Sequence, residues 1–179
     1  AVRVRVRDAQ GVPLAGVAVR LETSGAYALS DPRSTDEHGV TRFGPLGEGA
    51  YGFGCRRADC WPLYRKLEVG PKEQGVHELQ MRRLAGLELV LRDANGTPIA
   101  AAEVGLRSLE FGTEVAEWVR AERVTAPQGL RTNALGVLRL EGLPRGQYAW
   151  SVPGDETSGG TLELVAGSAN RLDVRLAPR

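Results

Sequence analysis

Val2-Arg3-Val4-Arg5-Val6-Arg7-Asp8-Ala9-Gln10-Gly11-Val12-Pro13-Leu14-Ala15 opens the chain, and its reading decides the fold. Apolar and charged residues alternate from Val2 to Arg7. Period two is the signature of a half-buried strand, with valines inward and arginines outward. A charged outer face this regular also discourages pairing with foreign strands. Asp8-Ala9-Gln10-Gly11 then reads as a turn in which glycine supplies a positive φ. Pro13 enters the next strand at its first residues, where a missing N–H is tolerated.

The same text recurs as Leu87-Glu88-Leu89-Val90-Leu91-Arg92-Asp93-Ala94-Asn95-Gly96-Thr97-Pro98-Ile99-Ala100. Val19 and Leu21 have their echoes in Val104 and Leu106. A second block, Thr35-Asp36-Glu37-His38-Gly39-Val40, matches Thr132-Asn133-Ala134-Leu135-Gly136-Val137, and Leu46, Gly49 and Tyr51 match Leu143, Gly146 and Tyr148. A third pairs Leu67 and Val69 with Leu162 and Leu164, and Leu79 and Met81 with Val174 and Leu176. Three blocks in the same order, with gaps only between them, indicate two copies of one fold.

Short strands at regular spacing, separated by turn residues, argue for two packed sheets per copy. The expectation is an all-β chain of two tandem antiparallel β-sandwich domains, residues 1–84 and 85–179, of about seven strands each. The linker near Leu84-Ala85-Gly86 is short, so the domains are expected end to end with limited bending. Between Glu110 and Gln128 the pattern is ambiguous. Val115, Trp118, Val119 and Ala121 fit a helix face, while Trp118, Arg120, Glu122 and Val124 alternate as a strand. The extended, hairpin-like reading is favoured.

Composition removes several classes of function. Of 179 residues, 42% are hydrophobic and 25% charged, which is ordinary for a globular chain. The net charge of +1 offers no field to attract nucleic acid or an anionic membrane. No apolar run approaches the roughly 20 residues that span a bilayer. No basic start followed by an apolar stretch is present to read as a signal peptide. Only Lys66 and Lys72 are lysines, and this arginine bias suggests a GC-rich bacterial genome.

The candidate chemistry is sparse. Cys55 and Cys60 are the only cysteines, and His38 and His77 the only histidines. Neither histidine stands at metal-ligand spacing from the cysteines, and C-x-x-C spacing is absent, so no metal site, cofactor or redox pair is expected. The favoured reading for Cys55 and Cys60 is a small disulfide in an oxidising compartment, contributing about 2 kcal/mol or less. Asp8, Asp31, Asp36, Glu37 and Asp93 read as turn residues, because calcium requires a denser acidic loop. No catalytic grouping is recognisable, so no enzyme activity is expected. Trp150 aligns with Phe53 and is expected in the core. Trp61 and Trp118 lie where the two copies differ, and either ring, if exposed, could stack on a sugar.

The motif residues carry a family resemblance. Asp8, Gly11, Pro13, Leu14, Ala15, Thr35, Asp36, Gly39, Leu46, Gly49 and Tyr51, with their counterparts Asp93, Gly96, Pro98, Ile99, Ala100, Thr132, Asn133, Gly136, Leu143, Gly146 and Tyr148, resemble the carboxypeptidase regulatory-like domain. That domain is a transthyretin-like sandwich close to the Cna-B type. The resemblance implies a non-catalytic spacer, docking surface or assembly subunit in a secreted or cell-surface, extracytoplasmic bacterial protein. It implies a protein partner or self-assembly in preference to a small molecule. The alternative is a carbohydrate-binding accessory module that uses Trp61 or Trp118. Some Cna-B relatives carry a Lys–Asn isopeptide bond. The first strands here have no lysine, and the second copy has none at all, so no isopeptide is expected.

Overall fold

A computed structural model describes residues 1–22, 28–70 and 75–177, with residues 156 and 157 described for the backbone only. The chain divides into two compact units, Ala1–Arg83 and Leu84–Arg179. Unit 1 contains β1 (Val2–Asp8), β2 (Ala18–Glu22), β3 (Arg33–Ser34), β4 (Val40–Phe43), β5 (Gly49–Arg56), β6 (Leu63–Val69) and β7 (Val76–Met81). Unit 2 contains β8 (Leu84–Arg92), β9 (Gly105–Ser108), α1 (Val115–Arg120), β10 (Val137–Pro144), β11 (Gly146–Val152), β12 (Asp155–Leu164) and β13 (Asn170–Arg175).

In unit 1 one sheet has the order β4-β1-β7 and the other β3-β2-β5-β6. In unit 2 the orders are β10-β8-β13 and β12-β11-β9. Neighbours pair antiparallel with one exception per unit: β1 runs parallel to β7, and β8 parallel to β13. The first and last strands of each unit therefore lie side by side, a pairing that only a long return through the rest of the unit permits.

Alternation places Val2, Val4 and Val6 wholly inside, against Val19, Leu21, Phe53 and Leu79. Phe43 of one sheet meets Phe53 of the other edge-to-face, with ring centroids 5.6 Å apart, so the core is the seam between the sheets. Unit 2 repeats this burial, with Leu87, Leu89 and Leu91 of one sheet and Leu106 and Tyr148 of the other all inside.

The segment expected to be extended contains a short helix, α1. Val115 and Trp118, its buried residues, are three apart. In a strand, residues an odd number apart point to opposite faces, so one of the two would meet water. A single helical turn buries both, and this burial decides the conformation.

Four turns share one design. Asp8 Oδ1 accepts the N–H groups of Gln10 and Val12 at 3.0 Å each. Asp36 does the same for His38 and Val40, Asp93 for Asn95 and Thr97, and Asn133 for Leu135 and Val137. In each, the glycine N–H bonds the carbonyl of the Asp or Asn three residues earlier, as Gly11 does with Asp8 at 2.9 Å. Each glycine has positive φ, between 71° and 86°.

A buried threonine precedes two of these turns. Thr35 Oγ1 donates to the Leu14 carbonyl at 2.6 Å and accepts from Val17 N–H at 3.0 Å. Thr132 Oγ1 likewise joins the Ile99 carbonyl and the Ala102 N–H. The L-x-x-G-x-Y segments close a corner, because the Tyr51 hydroxyl donates to the Gly47 carbonyl and the Tyr148 hydroxyl to the Pro144 carbonyl.

Gly39 and Gly136 carry a second constraint. A Cβ on either would collide with the backbone oxygen of Val6 or Leu91, whereas a Cβ on Gly11 meets nothing. Gly39→Ala and Gly136→Ala are therefore expected to destabilise their units by about 2–4 kcal/mol, through left-handed strain plus collision. Gly11→Ala should cost only about 1 kcal/mol, from strain alone. Urea unfolding of the three variants checks this, and equal losses at all three would refute the collision.

Candidate functional site

The residues singled out by sequence fall in two places. Cys55, Cys60 and Trp61 belong to unit 1, where β5 leaves the sheet and the chain turns back toward β6. Trp118 belongs to unit 2, on α1.

Cys55 and Cys60, expected as a disulfide pair, are free thiols in this structure. Cys55 occupies an inward position of β5 and is wholly buried. Cys60 is also buried in the same core, with its thiol 3.6 Å from Asp59 Oδ1. Burial pushes the Cys55 thiol up to about 12. Burial and then the Asp59 carboxylate push Cys60 up to about 11. Both therefore remain protonated near neutrality and behave as small apolar groups.

A chain of charges holds the loop. Arg83 Nε donates to Asp8 Oδ2 at 3.0 Å, and Arg83 NH1 to Asp59 Oδ2 at 3.1 Å. Arg57 Nε lies 2.7 Å from Asp59 Oδ1, and its NH1 donates to the Ala15 carbonyl. The loop backbone is also fixed, with Cys60 bridged to Arg83 and Trp61 N–H bonded to the Arg82 carbonyl at 2.7 Å. The residues after β7, the turn after β1 and the cysteine loop thus form one clamp. Sequence reasoning read Asp8 as a turn residue and missed its second oxygen. Its only signal was an acid between the cysteines and an arginine pair at the end of the unit.

Burial works to raise the Asp8 carboxyl, but the Arg83 guanidinium and the Val12 and Gln10 amides together hold it below the usual aspartate range.

Trp118 is only 6% exposed and meets the 43% exposed Phe111 edge-to-face at 5.6 Å. It is therefore a packing residue, and the carbohydrate reading loses it as an open platform. Trp61 is half-buried. Trp150 is also half-buried and not wholly inside the core, with its ring against the bare backbone of Gly160. A shallow, open depression of about 180 Å³ in unit 2 is lined by Gln128, Arg131, Asn133 and Arg139 among others. That is smaller than the roughly 300 Å³ at which small-molecule pockets begin. Among the described residues, no cluster of three or more His, Cys, Asp or Glu could hold a metal, and no helix is long and apolar enough to cross a membrane.

The chain matches no protein-family model and no curated protein sequence. Among solved structures it is similar to a Streptococcal ancillary pilin, at 16% identity and a TM-score of 0.47, over 99% of this chain and 62% of that one. It is similar to GBS52, the minor pilin of Streptococcus agalactiae, at 15% identity and 0.49, over 99% and 96%. It is similar to BcpA, the major pilin subunit of Bacillus cereus, at 10% identity and 0.39, over 98% of each chain. All three TM-scores lie below 0.5, so the all-β fold rests on the strand pairing described above.

Because the folded-state Asp8 is depressed, its contribution to stability is present above about pH 4 and is lost as pH falls through its lowered value. Asp8→Asn is expected to cost about 2–3 kcal/mol at neutral pH and to flatten stability against pH below about 4. Thermal melts from pH 7 to pH 2 check this, and an unchanged acid slope would refute it. Ellman titration is expected to find both thiols silent in the native protein and two per chain after denaturation.

Proposed function

We propose that the chain is a non-catalytic structural module, two copies of one β-sandwich in series, which spaces, docks or assembles parts of a secreted or cell-surface bacterial protein. The observation that carries this reading is where its polar side chains are engaged. Asp8, Asp36, Asp93 and Asn133 close turns, and Thr35 and Thr132 stitch loops. Asp59, Arg57 and Arg83 clamp a loop. The groups a catalyst would present to a substrate are used to fix the backbone. The reading agrees with the resemblance to carboxypeptidase regulatory-like and Cna-B-type domains, and it makes a protein surface or a second copy the natural partner.

The carbohydrate alternative rests on Trp61 alone, since Trp118 is buried. Light scattering over a concentration series, with a glycan panel on the same sample, separates the two. Growth in mass without glycan binding, or a monomer that binds no glycan, is expected of a structural module. A monomer that binds one defined glycan, and loses it in Trp61→Ala, would overturn the proposal.

A further inference from the structure

β10 is an edge strand of unit 2, and its outer side is claimed at two positions and open between them. The Leu91 N–H bonds the Gly136 carbonyl at 2.8 Å, so Gly136, Leu138 and Leu140 turn their backbone groups toward β8. Val137 and Arg139 therefore turn theirs outward, as Glu141 does. Asn133 claims Val137, accepting its N–H through Oδ1 and donating its own N–H to the Val137 carbonyl. Glu141 exchanges both bonds with Thr125, at 2.9 and 3.0 Å. Among the described residues nothing outside the sheet claims the N–H or the carbonyl of Arg139.

One residue causes the gap. Continuing the antiparallel pairing of Thr125 with Glu141 would set Pro127 opposite Arg139. Proline has no N–H for that carbonyl. The chain turns away instead, with the Gly129 N–H bonded to the Ala126 carbonyl at 3.0 Å. The depression of about 180 Å³ is the space this leaves between Pro127 and Gln128 and the strand, with Arg131 and Asn133 also lining it.

Unit 1 lacks this gap. In the register that matches Thr35 with Thr132 and Gly39 with Gly136, Arg139 corresponds to Arg42. Arg33 Nη1 seals the Arg42 carbonyl at 2.8 Å. Leu130 stands at the position of Arg33 and offers no side-chain donor. Arg131 replaces Ser34 in the equivalent bridge, Glu103 with Arg131 for Ala18 with Ser34. Asn133 replaces Asp36, keeps the turn through Oδ1 and adds an amide Nδ2 that no described residue claims. The carbonyl is thus opened, one negative charge removed and one positive charge added. Arg131 has only a 3.8 Å contact with Glu103, and both side chains are more than half exposed. The Arg139 guanidinium is held by Glu88 at 2.9 Å, so Arg139 offers the gap its backbone.

We propose that this gap binds the C-terminal residue of a partner chain. The inference rests on the docking reading above and names the partner's chemistry. A residue paired antiparallel with Arg139 donates its N–H to the Arg139 carbonyl and accepts the Arg139 N–H. Its carboxyl end then lies on the Val137 side, beside Asn133, and its amino end on the Glu141 side. Asn133 and Thr125 hold the neighbouring edge positions, so a segment running through would have to bend away twice, and a chain end only once. The terminal carboxylate takes the Arg139 N–H with one oxygen and meets Asn133 Nδ2 and Arg131 with the other. A free anion has no N–H for the Arg139 carbonyl, and a C-terminal amide has no charge for Arg131.

Titration of the 15N-labelled full chain, followed at the amides of Asn133, Val137 and Arg139, tests this. Acetyl-trialanine with a free carboxylate is expected to bind with a Kd of about 1 mM, since one residue makes the contact. Its C-terminal amide, acetate, and an amidated tripeptide with a central aspartate are each expected to bind at least about tenfold more weakly. N133D restores the acid of unit 1, keeps the turn as Asp36 does, and is expected to weaken binding about tenfold in a folded protein. R131S, the residue of unit 1, is expected to do the same. Equal binding of the free acid and its amide, or of acetate, overturns the proposal. So does tight binding of the aspartate peptide, which would assign an internal acidic side chain, or binding that N133D leaves unchanged. Silence of these amides up to about 10 mM peptide overturns it too, and leaves standing the structural-module reading, which is judged by mass and glycan binding.

Discussion

A single side-chain oxygen that accepts two backbone N–H groups is the interaction on which each unit depends. In the four Asp or Asn turns, Oδ1 satisfies donors two and four residues ahead, and the glycine between them takes the left-handed conformation. Unpaired backbone donors are costly when buried, so a turn that closes its own donors can be pressed against the sheet. Two of the turns are so pressed. Gly39 bonds Val6 through its carbonyl and Gly136 bonds Leu91, and neither leaves room for a Cβ. Thr35 and Thr132 then tie the incoming loop to the same turn. Strand alternation supplies the buried area, but these turns fix which strands lie together and in what register.

The strands were legible because apolar residues recur at every second position, with Val90 a single interruption in β8. Val2, Val4 and Val6, or Leu87, Leu89 and Leu91, recur at period two, which lines one face of a strand but is scattered around a helix. The turn glycines were legible for the same local reason. The parallel pairing of β1 with β7 was not, since alternation describes one strand and is silent about its neighbour's direction. The helix was missed because the apolar pattern over six residues fits two periods. Only the need to bury both Val115 and Trp118 chooses between them, and that need comes from tertiary packing. Of the candidate site, the sequence pointed to the loop that holds Cys55, Cys60 and Trp61, and did not show the ion pairs that secure it in this structure. Proximity in sequence says nothing of where a side chain points. Cys55 faces the core of its sheet, and the loop is held by Asp59, Arg57 and Arg83.

Holding the loop by charge gives it a dependence on pH. The clamp joins the beginning of unit 1, through Asp8, to its end, through Arg83, and to the loop that follows β5. Asp8 is buried, whereas Arg83 and Asp59 remain partly open to solvent. A disulfide would fix the loop irrespective of pH but would depend on the redox compartment. The ion chain has the opposite dependence, insensitive to oxidant and weakened by acid.

The two units share a scaffold and differ where the scaffold leaves freedom. The first sheet of each, with its parallel pair, its pressed turn and its threonine stitch, has little surface that can vary without cost to the fold. The second sheet ends in an edge strand, and there the side chains diverge, with Arg65, Lys66 and Glu68 on β6 and no lysine or arginine on β12. The insertion in unit 2 turns inward, burying Trp118 under Phe111. An exposed aromatic platform would have placed recognition on that insertion. With the ring buried, the insertion completes the packing of its own unit.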